Sequence, residues 1–217
     1  VLVISYWDER LGTASFNGYA YPYIDPALLS AQLPYVTYLT PFTYGISAGG
    51  GLLPLEDDAM LSAARQRGTA PVMHLSTLTE SGQFDTQRAE MVLTDFEVQD
   101  RLVAEVLQTV LRKGFAGLDV DFEYLPGDLA SAYADFLSRL RRLLHPQGLF
   151  LWVALAPKTS AGQRGLLYEG PRLRRPQHRG GRPAFDDLRV GLYLRSAHGS
   201  RPHSQRPGGA GLCRDGN

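Results

Sequence analysis

Short apolar segments alternate with amphipathic helical segments through residues 1–170, and this alternation is the strongest constraint on the fold. The clearest helix is predicted over residues 96–113, where apolar residues recur at spacings of three and four and Gly114 follows as a stop. An apolar strand at 117–123 comes next, and a helix that Asp128 would cap precedes a further strand at 149–156. The pattern predicts a parallel sheet built from βα units.

Three earlier strands are predicted at residues 2–7, 35–42 and 70–76, with a helix at 57–67. Five strands in this order are typical of a (β/α)8 TIM barrel, which normally takes about 250 residues and carries its active site at the carboxyl ends of its strands. A doubly wound sheet is the alternative. The barrel is favoured, because no glycine-rich phosphate loop follows the first strand.

The strand at 117–123 carries carboxylates at alternate positions, Asp119, Asp121 and Glu123. Side chains at alternate positions of a strand point to the same face, so the three carboxyl groups are predicted to lie together. Neighbouring carboxylates repel and resist desolvation, which raises the pKa of one member into the range that a general acid needs. A solvated face of an edge strand would explain the same pattern, but the flanking elements predict a strand inside the sheet.

Residues 115–124, Phe-Ala-Gly-Leu-Asp-Val-Asp-Phe-Glu-Tyr, resemble the strand-four signature of glycoside hydrolase family 18, D-x-x-D-x-D-x-E. Ala116 departs from it by replacing the first Asp. The resemblance runs from Leu2 to about Gly170, and residues 154–160 and 165–170 are most similar to a bacterial branch associated with spore cortex and peptidoglycan. It implies hydrolysis of β-1,4 bonds next to N-acetylglucosamine in peptidoglycan or chitin, in the cell envelope, in the spore or outside the cell, with LysM modules possible upstream.

The mechanism that the resemblance implies is retaining and substrate-assisted. Glu123 would protonate the glycosidic oxygen while the 2-acetamido carbonyl of the substrate attacks the anomeric carbon. Asp121 would hold the acetamide N–H, and Asp119 would set the charge state of Asp121. No metal and no cofactor is expected. A catalytically silent, carbohydrate-binding barrel is the alternative, and the presence of Glu123 favours the enzyme, because binding alone needs no acid.

Aromatic residues at or just beyond predicted strand ends are candidates to stack on sugar rings, with ordinary packing as the alternative for each. They are Trp7, Phe42, Tyr44 and Tyr124. His74, in the strand at 70–76, is expected to be an interior histidine rather than a catalytic group.

The charge of the chain is divided between two unlike segments. Residues 1–170 carry a net charge of −7, whereas residues 171–217 carry +7, with ten Arg, eight Gly and five Pro. The Arg-rich segment contains no Lys and few aromatic residues, so a nucleic-acid partner is not expected. No apolar run approaches the roughly 20 residues that a membrane span needs, so no membrane partner is expected either. The single cysteine, Cys213, excludes a disulfide framework within the chain.

Residues 171–217 lack the sixth strand that the family resemblance implies, with its Met-Thr-Tyr signature and acetamide-orienting tyrosine. If the codons are read one nucleotide later, however, Asp186 to His198 can be read as Met-Thr-Tyr-Glu-Trp-Gly-Tyr-Thr-Tyr-Gly-Pro-Pro-Met. We therefore predict a frameshift near Gly170, with residues 1–170 forming strands one to five of a catalytic barrel and residues 171–217 an out-of-frame, irregular or disordered tail. The chain as written is predicted to be poorly soluble and inactive, and the product of the frame-restored gene active.

Overall fold

The computed structural model describes the backbone of residues 3–8, 13–155 and 188–192 and the side chains of residues 15–154. Strands and helices alternate from the second strand onwards, as the sequence predicts. The strands are β1 (Val3–Asp8), β2 (Thr13–Ala20), β3 (Tyr38–Pro41), β4 (Ala70–Pro71), β5 (Met73–Ser76), β6 (Gly117–Asp121), β7 (Phe150–Leu155) and β8 (Leu188–Leu192). The helices are α1 (Pro26–Gln32), α2 (Asp58–Gln66), α3 (Thr86–Thr94), α4 (Phe96–Lys113) and α5 (Ala130–Leu144).

The parallel strands form two groups, β2–β3–β4 and β5–β6–β7–β8. β4 and β5 are two parts of one strand, which is interrupted at Val72 and lies beside β3. Backbone hydrogen bonds therefore join the two groups. The amide of Val72 donates to the carbonyl of Leu39 at 2.9 Å, and the amide of Tyr44 donates to the carbonyl of His74 at 2.9 Å. Six successive positions of a parallel sheet result, and among the described residues no pairing joins β8 to β2.

The predicted strand at residues 2–7 exists as β1, but it is not the first parallel strand. It pairs antiparallel with β2, which the sequence analysis missed. The sequence Asn17-Gly18 within β2 is typical of a turn and hides the strand. Gly18 lies in a closely packed part of the sheet, since a Cβ atom there would lie 3.3 Å from Cγ1 of Val36 and that side chain would have to shift by a few tenths of an ångström.

The main hydrophobic core lies between the sheet and helices α3, α4 and α5. Leu118 and Val120 of β6 are completely buried on this side, where Phe122 stacks on Tyr133 of α5 with 5.6 Å between ring centroids. The predicted bounds of α4 are confirmed, and Gly114 ends it with a φ of 62°. Asp128 does not cap α5, because it lies in the short 3-10 turn Gly127–Leu129 that precedes the helix.

The prediction of only five strands is wrong, because residues 188–192 of the tail form β8. This strand runs parallel to β7, with Leu151 opposite Leu188 and Leu155 opposite Leu192. Its sequence, Leu-Arg-Val-Gly-Leu, has apolar residues at alternate positions, and the edge of β7 offers unpaired backbone groups to any compatible strand. The rest of the predicted tail lies outside the described residues.

Candidate active site

Asp119 and Asp121 lie on the inner face of β6, opposite the helix-packed face. Their exposed fractions are 1% and 9%. Because β6 is paired with β5 on one side and β7 on the other, the alternative of a solvated edge strand is wrong. Glu123 follows two residues beyond the strand end and is half-buried, with its Oε2 atom shielded from solvent. The three carboxylates therefore extend from the interior towards the carboxyl edge of the sheet.

Two aromatic groups on other strands approach this pair of aspartates. The hydroxyl of Tyr19 in β2 donates a hydrogen bond of 2.7 Å to Oδ2 of Asp119. The Nε2 atom of His74 in β5 lies 3.9 Å from Oδ2 of Asp119 and 3.6 Å from Oδ2 of Asp121. The sequence analysis could not find Tyr19, because it missed the strand that carries it.

His74 lies in the interior, as predicted, and is completely buried. Its Nδ1 atom is 2.6 Å from Oγ1 of Thr43, and its ring packs against Phe42 with 4.8 Å between centroids and against Tyr19 with 5.7 Å. Burial lowers the pKa of His74 to about 3, so the imidazole is neutral at ordinary pH.

The negative charges of the same aspartates affect the pKa of Tyr133 in α5. Burial raises the pKa of its phenol well above the ordinary value, and the charges of Asp121 and Asp119 raise it further. This side chain therefore remains a neutral phenol at any pH at which an enzyme works.

Tyr124, directly after Glu123, is half-buried and has a φ of 59°. A positive φ is strained for a residue with a Cβ atom, and such residues cluster at functional sites. The left-handed turn ends the extended run of β6 beside Glu123. Sugar stacking by Tyr124 stays a prediction.

An aromatic row, consisting of Phe42, Tyr21 and Tyr23, leads from His74 towards solvent at the carboxyl edge of β2 and β3. The Phe42 and Tyr21 rings meet edge to face at 5.3 Å, and Tyr21 stacks on Tyr23 at 5.0 Å with 12° between their planes. Tyr21 is 50% exposed and Tyr23 is 81% exposed. Phe42 was a candidate from sequence, whereas the two tyrosines were missed together with β2.

Tyr44 and Trp7 do not lie where a sugar-stacking role requires. Tyr44 is 2% exposed and sits between the sheet and the helices, where its hydroxyl donates to Oδ2 of Asp57 at 2.8 Å. Because Tyr44 follows β3, the sequence suggested an open strand end. The chain instead continues beside β5, where Tyr44 pairs with Leu75, and the tyrosine is covered. Trp7 pairs with Ala14, near the amino end of β2, so its backbone lies at the opposite edge of the sheet from the carboxylates.

Among the described residues, no three His, Cys, Asp or Glu side chains are grouped so as to hold a metal ion. No described helix is both long enough and apolar enough to cross a bilayer.

No model of a known protein family matches the chain. It is 36% identical over 136 residues to the cortical fragment-lytic enzyme of Bacillus subtilis, which covers 63% of this chain and 31% of that enzyme. It is similar to the crystal structure of the Bacillus cereus spore cortex-lytic enzyme SleL, with a TM-score of 0.65 and 29% identity over 71% of this chain and 37% of that one. The fold is also that of a chitinase from Chromobacterium violaceum, with a TM-score of 0.62 and 24% identity over 70% of this chain and 50% of that one.

The chain spans about a third of the length of the curated relatives that it matches. The shared region contains the carboxylate strand, and its relatives and structural neighbours include spore cortex-lytic enzymes and family 18 chitinases. With the signature at residues 115–124, these similarities support a place for the chain in glycoside hydrolase family 18, in the branch that contains the spore cortex-lytic enzymes.

Proposed function

We propose that residues 1–170 carry the acid-bearing part of an active site that hydrolyses β-1,4 bonds next to N-acetylglucosamine in cortex peptidoglycan. The observation that carries the proposal is the line of Asp119, Asp121 and Glu123, which rises from the buried inner face of β6 to the carboxyl edge of the sheet. Enzymes with parallel α/β barrels place their chemistry at this edge.

Each carboxylate has a separate task in a substrate-assisted reaction. Glu123 donates a proton to the glycosidic oxygen as the bond from that oxygen to the anomeric carbon breaks, and the acetamide oxygen forms the new bond to that carbon. Asp121 accepts a hydrogen bond from the acetamide N–H and stabilises the positive charge that develops on the ring. Water then attacks the anomeric carbon, Glu123 takes its proton, and the acetamide is released.

The degree of burial supports this division of tasks. Asp119 and Asp121 are shielded from water, so their charges act more strongly on a bound sugar than exposed charges would. Glu123 is half-buried at the strand end, where it can reach both substrate and solvent. The tyrosines of the aromatic row, with Phe42 and Tyr124, supply faces on which sugar rings can stack.

Cortex peptidoglycan is favoured over chitin because the relative from Bacillus subtilis is named for lysis of cortical fragments. Peptidoglycan and chitin share the acetamido group that the mechanism uses, so the carboxylates alone do not distinguish them. A spore or envelope location follows from the same choice of substrate.

The frameshift near Gly170 is part of the proposal. The segment that supplies the acetamide-orienting tyrosine would be encoded in another frame, so the chain as written would be impaired. Removal of one base at the codons of Gly170 and Pro171 should restore activity, and robust hydrolysis by the uncorrected chain would contradict the frameshift.

The test measures release of reducing sugar from spore cortex fragments and from chitin oligomers by the frame-restored enzyme and its Glu123→Gln variant. Loss of the general acid should lower kcat by about 10²–10⁴-fold while the substrate still binds. Asp128→Asn is a matched control, because Asp128 is an exposed carboxylate near the same strand end. Equal binding without hydrolysis by parent and variant would favour a carbohydrate-binding protein instead.

A further inference from the structure

We propose that His74 is a positioning residue whose Nε2–H is directed towards both Asp119 and Asp121, and that the hydroxyl of Thr43 holds the imidazole in this tautomer. The tautomer is a property of the folded chain, whereas its effect on catalysis rests on the proposed function.

The His74 imidazole lies close to both aspartates. His74 is the register partner of Asp119 in the neighbouring strand, so the two side chains leave the sheet on the same face. The Nε2 atom lies 3.6 Å and 3.9 Å from one oxygen of each aspartate. Both distances exceed that of a hydrogen bond, so an N–H at this position acts on the two carboxylates through its dipole.

Two aromatic rings pack against the imidazole and restrict its movement. Phe42 contacts one side of the ring at 4.8 Å, and Tyr19 meets it edge to face at 5.7 Å. The ring is completely buried, so its nitrogen atoms are shielded from bulk solvent. The groups that face the imidazole are therefore Phe42 and Thr43 after β3, Tyr19 from β2, and the two aspartates from β6.

The carboxylates and Thr43 together determine which nitrogen carries the proton. A lone pair on Nε2 would face two carboxylate oxygens and be repelled, so the proton belongs on Nε2. Nδ1 is then an acceptor, and the hydroxyl of Thr43 is its donor at 2.6 Å. The other acceptors near this hydroxyl, the carbonyls of Tyr44 and His74 and the hydroxyl of Ser76, lie farther away at 3.1–3.2 Å.

A neutral donor at this position has a chemical consequence. A cation beside Asp121 would cancel the negative charge that stabilises the positively charged sugar intermediate. A neutral N–H stabilises the ionised aspartate and leaves its charge available to the substrate. The pair His74 and Thr43 therefore favours the ionised form of the aspartates without adding a positive charge.

The first experiment uses the chain as it exists and needs no substrate. Long-range proton–nitrogen NMR spectra of ¹⁵N-labelled protein distinguish the five histidines, and His74 is assigned by its absence in His74→Gln. We expect the neutral Nε2–H tautomer from pH 8 down to about pH 4. In Thr43→Val the tautomers should mix, and Thr43→Ser should restore the single form. An Nδ1–H tautomer in the parent chain, or an imidazolium at pH 6, would overturn the assignment.

The second experiment measures kcat and KM against pH in the frame-restored enzyme with His74→Phe, which keeps an aromatic ring, and His74→Gln, which keeps an N–H donor. Loss of the donor disfavours the ionised aspartates, so the acidic limb of kcat in His74→Phe should move up by about one pH unit, equal to about a tenfold loss on that limb. His74→Gln should recover most of the loss, with KM nearly unchanged in both.

Near-UV circular dichroism shows whether each variant is folded, and Thr43→Val supplies a milder change than the loss of the ring. Equal loss of kcat at every pH in His74→Phe and His74→Gln would mean that the ring only packs, and would overturn the positioning role. If the frame-restored parent enzyme hydrolyses neither substrate, the proposed function fails, while the NMR result still decides the tautomer.

Discussion

Two buried carboxylates in this chain are balanced in different ways. Asp57, between the sheet and the helices, is completely buried and receives hydrogen bonds from Nζ of Lys113 at 2.5 Å and from Tyr44 at 2.8 Å. Asp119, on the inner face, is equally shielded but faces the phenol of Tyr19 and the neutral ring of His74. A carboxylate paired with a lysine serves stability, whereas one held by neutral donors keeps a charge that a substrate can use.

The pKa values around Asp57 agree with a structural role. Burial lowers the pKa of Lys113, but hydrogen bonds to Asp57 and Asp58 outweigh it, and the net shift is upward. Burial, followed by the charge of Asp57, raises the pKa of Tyr44. Both donors therefore keep their protons at ordinary pH, and the cluster is locked in one charge state.

The largest effect is expected where the lysine is removed. Lys113→Met leaves the charge of Asp57 buried without its cation, so the free energy of unfolding should fall by about 3–5 kcal/mol. Urea denaturation at pH 7 measures it, and the double variant with Asp57→Asn should recover most of the loss. If Lys113→Met were as stable as the parent chain, the contrast between the two carboxylates would fail.

Asp121, which lies beside Asp119 on the inner face of β6, should show the opposite balance of effects. Asp121→Asn in the frame-restored enzyme removes the charge that stabilises the sugar intermediate, so kcat should fall by about 10²–10³-fold while stability changes little. Kinetics with cortex fragments and urea denaturation are measured on the same preparation. A large loss of stability with unchanged kcat would contradict the assignment of Asp57 to stability and of Asp121 to catalysis.

A smaller effect is expected from the phenol beside Asp119. Tyr19→Phe removes one hydrogen bond to a charged group, so the free energy of unfolding should fall by about 1.5–3 kcal/mol at pH 7. Tyr38→Phe, on the neighbouring strand, is the matched control, and an equal loss in both variants would contradict a specific role for Tyr19.

The smallest effect is expected in how the free energy of unfolding changes with pH. His74 has a folded pKa of about 3 against an ordinary value of 6.5, so the unfolded chain binds the proton more readily between those values. Stability should therefore decrease as pH falls below about 6.5, by about 1 kcal/mol per pH unit from this residue. His74→Phe should show a shallower decrease in urea denaturation at pH 7, 6 and 5, and parallel curves would contradict the neutral, buried imidazole.

The sequence predicted the part of the site that lies on a single strand. Alternation along the predicted strand at 117–123 was enough to place Asp119 and Asp121 on one face, since a strand has a fixed period of two, whereas Glu123 lies beyond the end of β6. The bounds of α4 were equally accessible, because its apolar repeat is long and Gly114 terminates it. These features depend on local geometry alone.

The partners of the carboxylates could not be predicted in the same way. Tyr19 reaches Asp119 from a strand that Asn17-Gly18 disguises as a turn, and its contact joins residues 100 positions apart. The burial of Tyr44 also depends on tertiary structure, since only its pairing with β5 shows that the side chain is covered. Trp7 was misplaced because its strand pairs antiparallel, which no local pattern revealed.

The bond from Tyr19 to Asp119 also sets an order of events during synthesis. Tyr19 leaves the ribosome about a hundred residues before its partner, so β2 must wait, already translated, until β6 is complete. Contacts between segments so far apart in the chain form slowly, because the intervening loop must be closed first. The Tyr19–Asp119 contact therefore forms only after β6 has been made, and its presence reports that β2 and β6 have been brought together.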